Sequence, residues 1–257
     1  LQNNTQSPAP GLESAFAGGD GTESNPYQIE TADQLQAING DRSANYTLIA
    51  DIDASETSDW NGGKGFDPIG VDIYTAFSAT FDGAGYTISD LTINRSDENF
   101  VGLFTATRDG AIVSNVTLES VNISGNLNVG GLIAYKRGTV TSSSVSGTVT
   151  GSSSVGGLFS SNKGTVASSS VMGTVTGGDN VGGLVYINRG TVTSSSVTGA
   201  VTGSSRVGGL VGINQGSYDG SVTSSYATVD VTASGDMVGG LIGSNSGQVV
   251  DTYATGN

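Results

Sequence analysis

Five aspartates crowd one stretch of the chain: Asp51, Asp53, Asp59, Asp67 and Asp72. Carboxylates at that density suit two kinds of chemistry. A pair flanking a glycosidic bond serves as acid and base or nucleophile, and a set of carboxylate oxygens holds Ca2+. Neither signature is complete here. No Asp-x-Asp-x-Asp-Gly loop and no Gly-Gly-x-Gly-x-Asp run is present, which leaves Asp51 and Asp53 as the Ca2+ candidates and no other cofactor implied. Polysaccharide-cleaving repeat folds carry acids on successive repeats. Here the downstream Asp179, Asp230 and Asp251 share no repeat position. The bland reading, aspartates in solvated turns, is preferred, and no catalytic residue is assigned.

What is missing narrows the chemistry further. The 257 residues include no histidine and no cysteine. That excludes a Ser-His-Asp triad, a thiol nucleophile, disulfides and Cys/His zinc sites. The net charge of −14 argues against nucleic acid and anionic membranes as partners. All of it resides in residues 1–125, because residues 126–257 carry five acids and five bases. No run of about 18 apolar residues spans a membrane. No basic-then-apolar leader opens the sequence, so it reads as intracellular or as part of a longer polypeptide.

The elements behind these residues come from a repeat. Val129-Gly130-Gly131-Leu132 recurs at Gly157-Leu158, Gly183-Leu184 and Gly209-Leu210 in steps of 26 residues, and at Gly240-Leu241 after 31. Each unit reads as three short strands rich in Val, Thr and Ile, separated by Asn and Gly turns. In the third unit these are Gly183–Ile187, Thr191–Val197 and Gly199–Thr202. A strand-only unit of this size cannot bury its own core, so stacking must do it. Stacking predicts three inward ladders: Val140, Val166, Val192, Val222; Val149, Val175, Val201, Val231; and the five repeat leucines. The fold class is therefore all-β, a right-handed parallel β-helix by the usual crossover preference. Roughly eight coils at about 4.8 Å each give a rod near 40 Å. A β-propeller needs blades of about 40–50 residues and fits less well.

Residues 1–19 read as linker, 20–100 as an N-terminal cap with irregular first coils, and 101–257 as the repeat β-helix. Thr31-Ala32-Asp33-Gln34 predicts a capped helix over 32–39. Ten of 17 aromatics fall in residues 1–100, as wider first coils require. Tyr253–Asn257 stops inside a repeat and reads as the truncated end of a longer array.

Three residues are the candidates for ligand contact: Tyr218 and Asp219, in the insertion before the fifth copy, and Trp60 in the head. Solenoid insertions map to loops on one face. Outward Thr-x-Thr ladders (Thr139-Val140-Thr141, Thr165-Val166-Ala167, Thr191-Val192-Thr193) raise ice binding as a further reading, weakened by Ala167, Ala200 and Asp230.

The body resembles the GLUG repeat of large bacterial surface proteins, on Gly209-Leu210-Val211-Gly212, Gly240-Leu241-Ile242-Gly243 and Tyr226-Ala227-Thr228. Ala134, Ser160 and Tyr186 depart from the motif's final glycine. The head, through Gly21–Ile29, Asp51-Ile52-Asp53 and Phe81–Ile88, looks like the module that often precedes such arrays. Filamentous-haemagglutinin-like adhesins and the non-catalytic regions of immunoglobulin A proteases carry this repeat. The resemblance implies a secreted or bacterial cell-surface location. It also implies a non-catalytic scaffold or stalk in adhesion, with a host-cell, surface-protein or glycan receptor. The alternative is a β-helix that binds or cleaves polysaccharide.

Overall fold

The structure, a computed structural model, describes residues 15–256. Its strands wind as a β-solenoid of coils of about 26 residues. Every pairing between named strands is parallel, for example Val140↔Val166 and Val166↔Val192. One sheet of nine strands runs in strict chain order from Tyr27–Ile29 to Gln248–Val250. A second sheet of six strands runs from Phe104–Ala106 to Ile242–Asn245. A third sheet of twelve strands closes the coil. Nine rungs at the parallel-strand spacing span about 38 Å.

One interior column shows how sequence sets the shape. Tyr27, Tyr46, Phe81, Val113, Val140, Val166, Val192, Val222 and Val249 are paired rung by rung. Aromatics fill the first three rungs and valine the rest. The aromatic packing continues between columns: Phe16 stacks on Tyr27 at 4.6 Å, and Phe77 and Phe81 meet Phe104 at 5.1 and 5.5 Å. All three expected ladders form. They are buried except at their last members, Val231 and Leu241, which are only partly so.

The cap forms as its sequence signature predicts. The amide of Gln34 donates to the Thr31 hydroxyl at 3.2 Å, and the Gln34 side chain accepts from the Glu30 amide at 2.8 Å. The helix covers Ala32–Ala37 and tightens into a 3-10 turn over Ile38–Gly40. Leu35 and Ile38 close the end of the core.

Two expectations need correction. Most of the linker expected over 1–19 lies outside the described residues, but part of 15–19 is anchored to the fold. Phe16 is buried, and Gly18 bridges Gln28. The strand expected over Thr191–Val197 is two strands, Thr191–Thr193 and Ser196–Gly203. Ser194 takes a left-handed φ of 49°, which turns the corner. Ser195 points inward, its hydroxyl donating to Thr193 O at 2.8 Å and accepting from the Ser169 amide at 3.3 Å. The same serine recurs at 143, 169 and 225, so the corner is part of the repeat.

A polar ladder runs inside the opposite corner. Asn162 Nδ2 donates to Asn188 Oδ1 at 2.7 Å, Asn188 to Asn214 at 2.9 Å and Asn214 to Asn245 at 2.8 Å. Lys136 occupies the same position one rung earlier and is fully buried. Its Nζ donates to Asn162 Oδ1 at 3.0 Å and Gly138 O at 2.9 Å, which matches the two N–H groups of a neutral amine. Burial pushes the Lys136 pKa down to about 7.

Two predictions follow from this packing. Leu184→Ala removes a fully buried side chain from the leucine column and should destabilise by about 2–5 kcal/mol in chemical denaturation. Leu241→Ala, at a partly buried position, should cost less. Lys136 holds fewer protons folded than unfolded between about pH 7 and its ordinary 10.5. Stability should therefore rise with pH across that window and show no Lys136 contribution to the slope below it. Lys136→Asn, which extends the amide ladder, should stabilise the chain at pH 7, with a smaller gain over the parent at pH 9.

Candidate functional site

The acids that are dense in sequence are dispersed in space and locally engaged. Asp51 Oδ1 accepts from the Thr87 amide at 2.8 Å, and Asp53 Oδ1 from the Ser55 amide at 2.9 Å. Hydrogen bonds from the Ser55 side chain and amide hold the Asp53 carboxyl below the usual range. Asp67 pairs with the buried Arg95 at 3.1 Å. Asp72 Oδ1 accepts the amides of Tyr74 and Thr75, both at 2.8 Å. Asp59 is exposed. Among the described residues, no group of three His, Cys, Asp or Glu gathers as a metal cage. Asp53 thus caps a local turn, and Asp51 ties its coil to the amide of Thr87 on the next.

Trp60 is half-buried, with its ring 6.3 Å from Phe66. It borders an open depression of about 410 Å3 with Asp33, Gln36, Asn39, Asn61 and Asp67. The insertion lies where the repeat spacing places it. Paired residues are offset by 26 at Asn188↔Asn214, by 30 at Thr191↔Ser221 and by 31 at Val207↔Val238. Four of the five added residues therefore lie between Asn214 and Ser221. They form a 3-10 turn, Gly216–Tyr218, closed by Asp219 at φ 62°. Tyr218 is 59% exposed, and the Arg189 guanidinium lies 5.3 Å from its ring centre.

That contact leads to a feature the sequence reading missed. The residue after each ladder position in the buried corner points outward, and in four successive coils it is basic: Arg108, Arg137, Lys163, Arg189. The register is fixed by Ala106↔Tyr135, Lys136↔Asn162 and Asn162↔Asn188. These are four of the nine bases in the chain. Gln215 continues the row, accepting from Arg189 Nε at 2.7 Å. Arg137 pairs with Asp109 at 3.0 Å. Arg108, Lys163 and Arg189 have no carboxylate within ion-pair distance among the described residues. The signal was present in the sequence as the 26-residue spacing of 137, 163 and 189.

Tyr135 is bracketed by two of these cations, with Lys163 Nζ 5.2 Å and the Arg137 guanidinium 5.8 Å from its ring centre. Burial raises its phenol, but hydrogen bonds and positive charge from Lys163 and Arg137 outweigh that and leave it below the ordinary tyrosine value. Tyr74 and Arg108 meet it across an open depression of about 390 Å3, completed by Ile73, Thr107, Asp109 and Arg137. Arg108 Nη2 donates to Tyr74 O.

The outer threonines align as expected, Thr139↔Thr165↔Thr191, but the row continues as Ser221 and Gln248. The companion row is Thr141, Ala167, Thr193, Thr223, Val250. Tyr226 and Tyr253 stack at 5.1 Å and 3° on the outer surface.

Residues 203–232 match the family model of the GLUG motif, and Gly209–Gly212 lies within that segment. The chain is 40% identical over 136 residues to halomucin of Haloquadratum walsbyi, covering 51% of this chain and 2% of halomucin. It is 38% identical over 137 residues to a protein of Evansella cellulosilytica named "Putative Gly-rich membrane protein", covering 51% and 16%. The chain thus spans a small part of the length of both relatives. In structure it is similar to a Bacteroides ovatus chain named a "putative immunoglobulin A1 protease" (TM-score 0.66, 18% identity, 94% of this chain and 86% of that one). It is also similar to a chain named IgA1 protease (TM-score 0.55, 20% identity, 96% and 20%). At these identities the likeness establishes the β-solenoid fold.

Lys163→Ala should shift the titration of Tyr135 upward. The measurement is tyrosinate absorbance against pH, with the Tyr135 signal isolated by subtracting Tyr135→Phe in each background. An unchanged titration would remove Lys163 as the cause.

Proposed function

We propose that the chain is a non-catalytic β-helical spacer within a large secreted or surface-attached bacterial protein, and that it supports adhesion. One observation carries this reading. The interior is repeated rung after rung, while no carboxylate stacks on a carboxylate in the strand pairings of the repeat coils. Asp179 pairs with Ser153 and Asp230 with Ala200. A glycosidase-type site needs two carboxyl groups about 5–9.5 Å apart around one bond, and in the head Asp51, Asp53 and Asp72 accept backbone amides while Asp67 pairs with Arg95. The GLUG motif at 203–232 supports the reading, as do relatives named for a mucin-like and a membrane protein.

Incubation of the chain with acidic and neutral polysaccharides, followed by reducing-end and unsaturated-product assays, should show no turnover. Turnover that disappears in Asp51→Asn/Asp53→Asn would overturn the non-catalytic reading and favour the polysaccharide-cleaving alternative.

A further inference from the structure

We propose that the basic row Arg108–Arg137–Lys163–Arg189 is a binding strip for a linear acidic polysaccharide. Its four cations stand on consecutive rungs, so the strip is straight and about 14 Å long at the rung spacing. Three of them lack a carboxylate partner among the described residues, and Asp109 is the acid paired into the row, through Arg137. A chain of net charge −14 that gathers four of its nine bases in one line has concentrated positive potential along that line.

The surroundings point to a sugar chain. Tyr74, 75% exposed, stands at the Arg108 end, and Tyr218, 59% exposed, stands at the Arg189 end. Exposed aromatic rings offer apolar platforms with a polar tip. Two residues beyond the basic row run the outward hydroxyls of Thr139, Thr165 and Thr191, which can exchange hydrogen bonds with sugar hydroxyls. The shared chemistry of the ligand is a regular row of carboxylates or sulfates along an uncharged, hydroxyl-rich backbone. A nucleic acid fits less well, because its charge density would bring many more phosphates against the acidic head. The strip goes beyond the spacer reading and does not depend on it: a failed titration here leaves that reading standing, and turnover in the polysaccharide assay would not by itself remove the strip.

Calorimetric titration of the 257-residue chain tests it. The probes are a hexagalacturonate, a heparin-derived hexasaccharide, maltohexaose as the neutral control, and a short single-stranded DNA. Binding of either acidic hexasaccharide is expected, weakening as salt rises because exposed charges are screened, with no heat from maltohexaose. Binding of just one acidic probe supports the strip and tells whether carboxylates alone suffice or sulfates are needed as well. Lys163→Ala/Arg189→Ala should lower affinity at least tenfold and Tyr218→Ala by less. Arg206→Ala, which removes a cation off the row, should change nothing. Circular dichroism and the thermal midpoint of each variant check the fold. Absence of binding to both acidic probes, equal binding by a folded Lys163→Ala/Arg189→Ala variant, or tighter binding of the DNA would overturn the proposal.

Discussion

The rest of the structure depends on buried amides that are fully satisfied only when the coils on both sides are in place. A side-chain carboxamide offers two donors and two acceptor sites, and away from water each unfilled one is costly. Asn188 fills all four. Its Oδ1 accepts from Asn162 Nδ2 and the Gly190 amide, and its Nδ2 donates to Asn214 Oδ1 and Ser221 O. Two of those partners sit one rung ahead and one sits one rung behind. A coil that arrived one residue out of register would break the ladder and also turn its valines to solvent, because strand side chains alternate. The 31-residue step shows how strictly this holds. Four of its five extra residues are expelled between Asn214 and Ser221, and pairing resumes on both sides.

Once register is fixed, sequence position becomes surface position. The residue after each ladder position always emerges at the same edge, which is why Arg137, Lys163 and Arg189 line up. Two unit charges at the rung spacing repel by about 0.9 kcal/mol in water. That is small beside the roughly 1.5–3 kcal/mol from each fully buried valine or leucine, so the fold can carry an unneutralised row. Tyr135 between Arg137 and Lys163 and the Tyr218 ring against Arg189 soften the repulsion further. Lys136 is the reverse case: a base on the inner side of the same corner, held by two acceptors and favoured neutral by burial.

The architecture was legible because Val-Gly-Gly-Leu recurs in three steps of 26 residues and one of 31, and a strand-only unit that small must stack. The valine columns, the cap of Thr31 and the location of the insertion follow from the same arithmetic. The corner at Ser194–Ser195 did not, since Thr-Val-Thr-Ser-Ser-Ser-Val has an uninterrupted strand composition. What breaks it is one left-handed serine and a buried hydroxyl, neither of which composition reveals. Phe16 was hidden in a segment of linker-like residues, although its partner Tyr27 lay in plain view. The basic row escaped for another reason. Five acids cancel five bases over residues 126–257, and a net charge of zero says nothing about arrangement. The aspartates of the head are the opposite case, dense in sequence without gathering into a group of three among the described residues.

The regularity of a solenoid makes it a good track for a polymer. Its flank presents collinear side chains with a fixed spacing. Its interior positions are bound to the column above and below, as Val140, Val166, Val192, Val222 and Val249 are. Its exterior positions are free to vary at each rung, as Thr139, Thr165, Thr191, Ser221 and Gln248 do. Selection can therefore write a pattern along the outside without touching the core, and a pattern that repeats along a line is complementary to a ligand whose own groups repeat along a line. Arg108, Arg137, Lys163 and Arg189 form such a pattern, on an edge of the coil whose inner side is pinned by Lys136 and the asparagines.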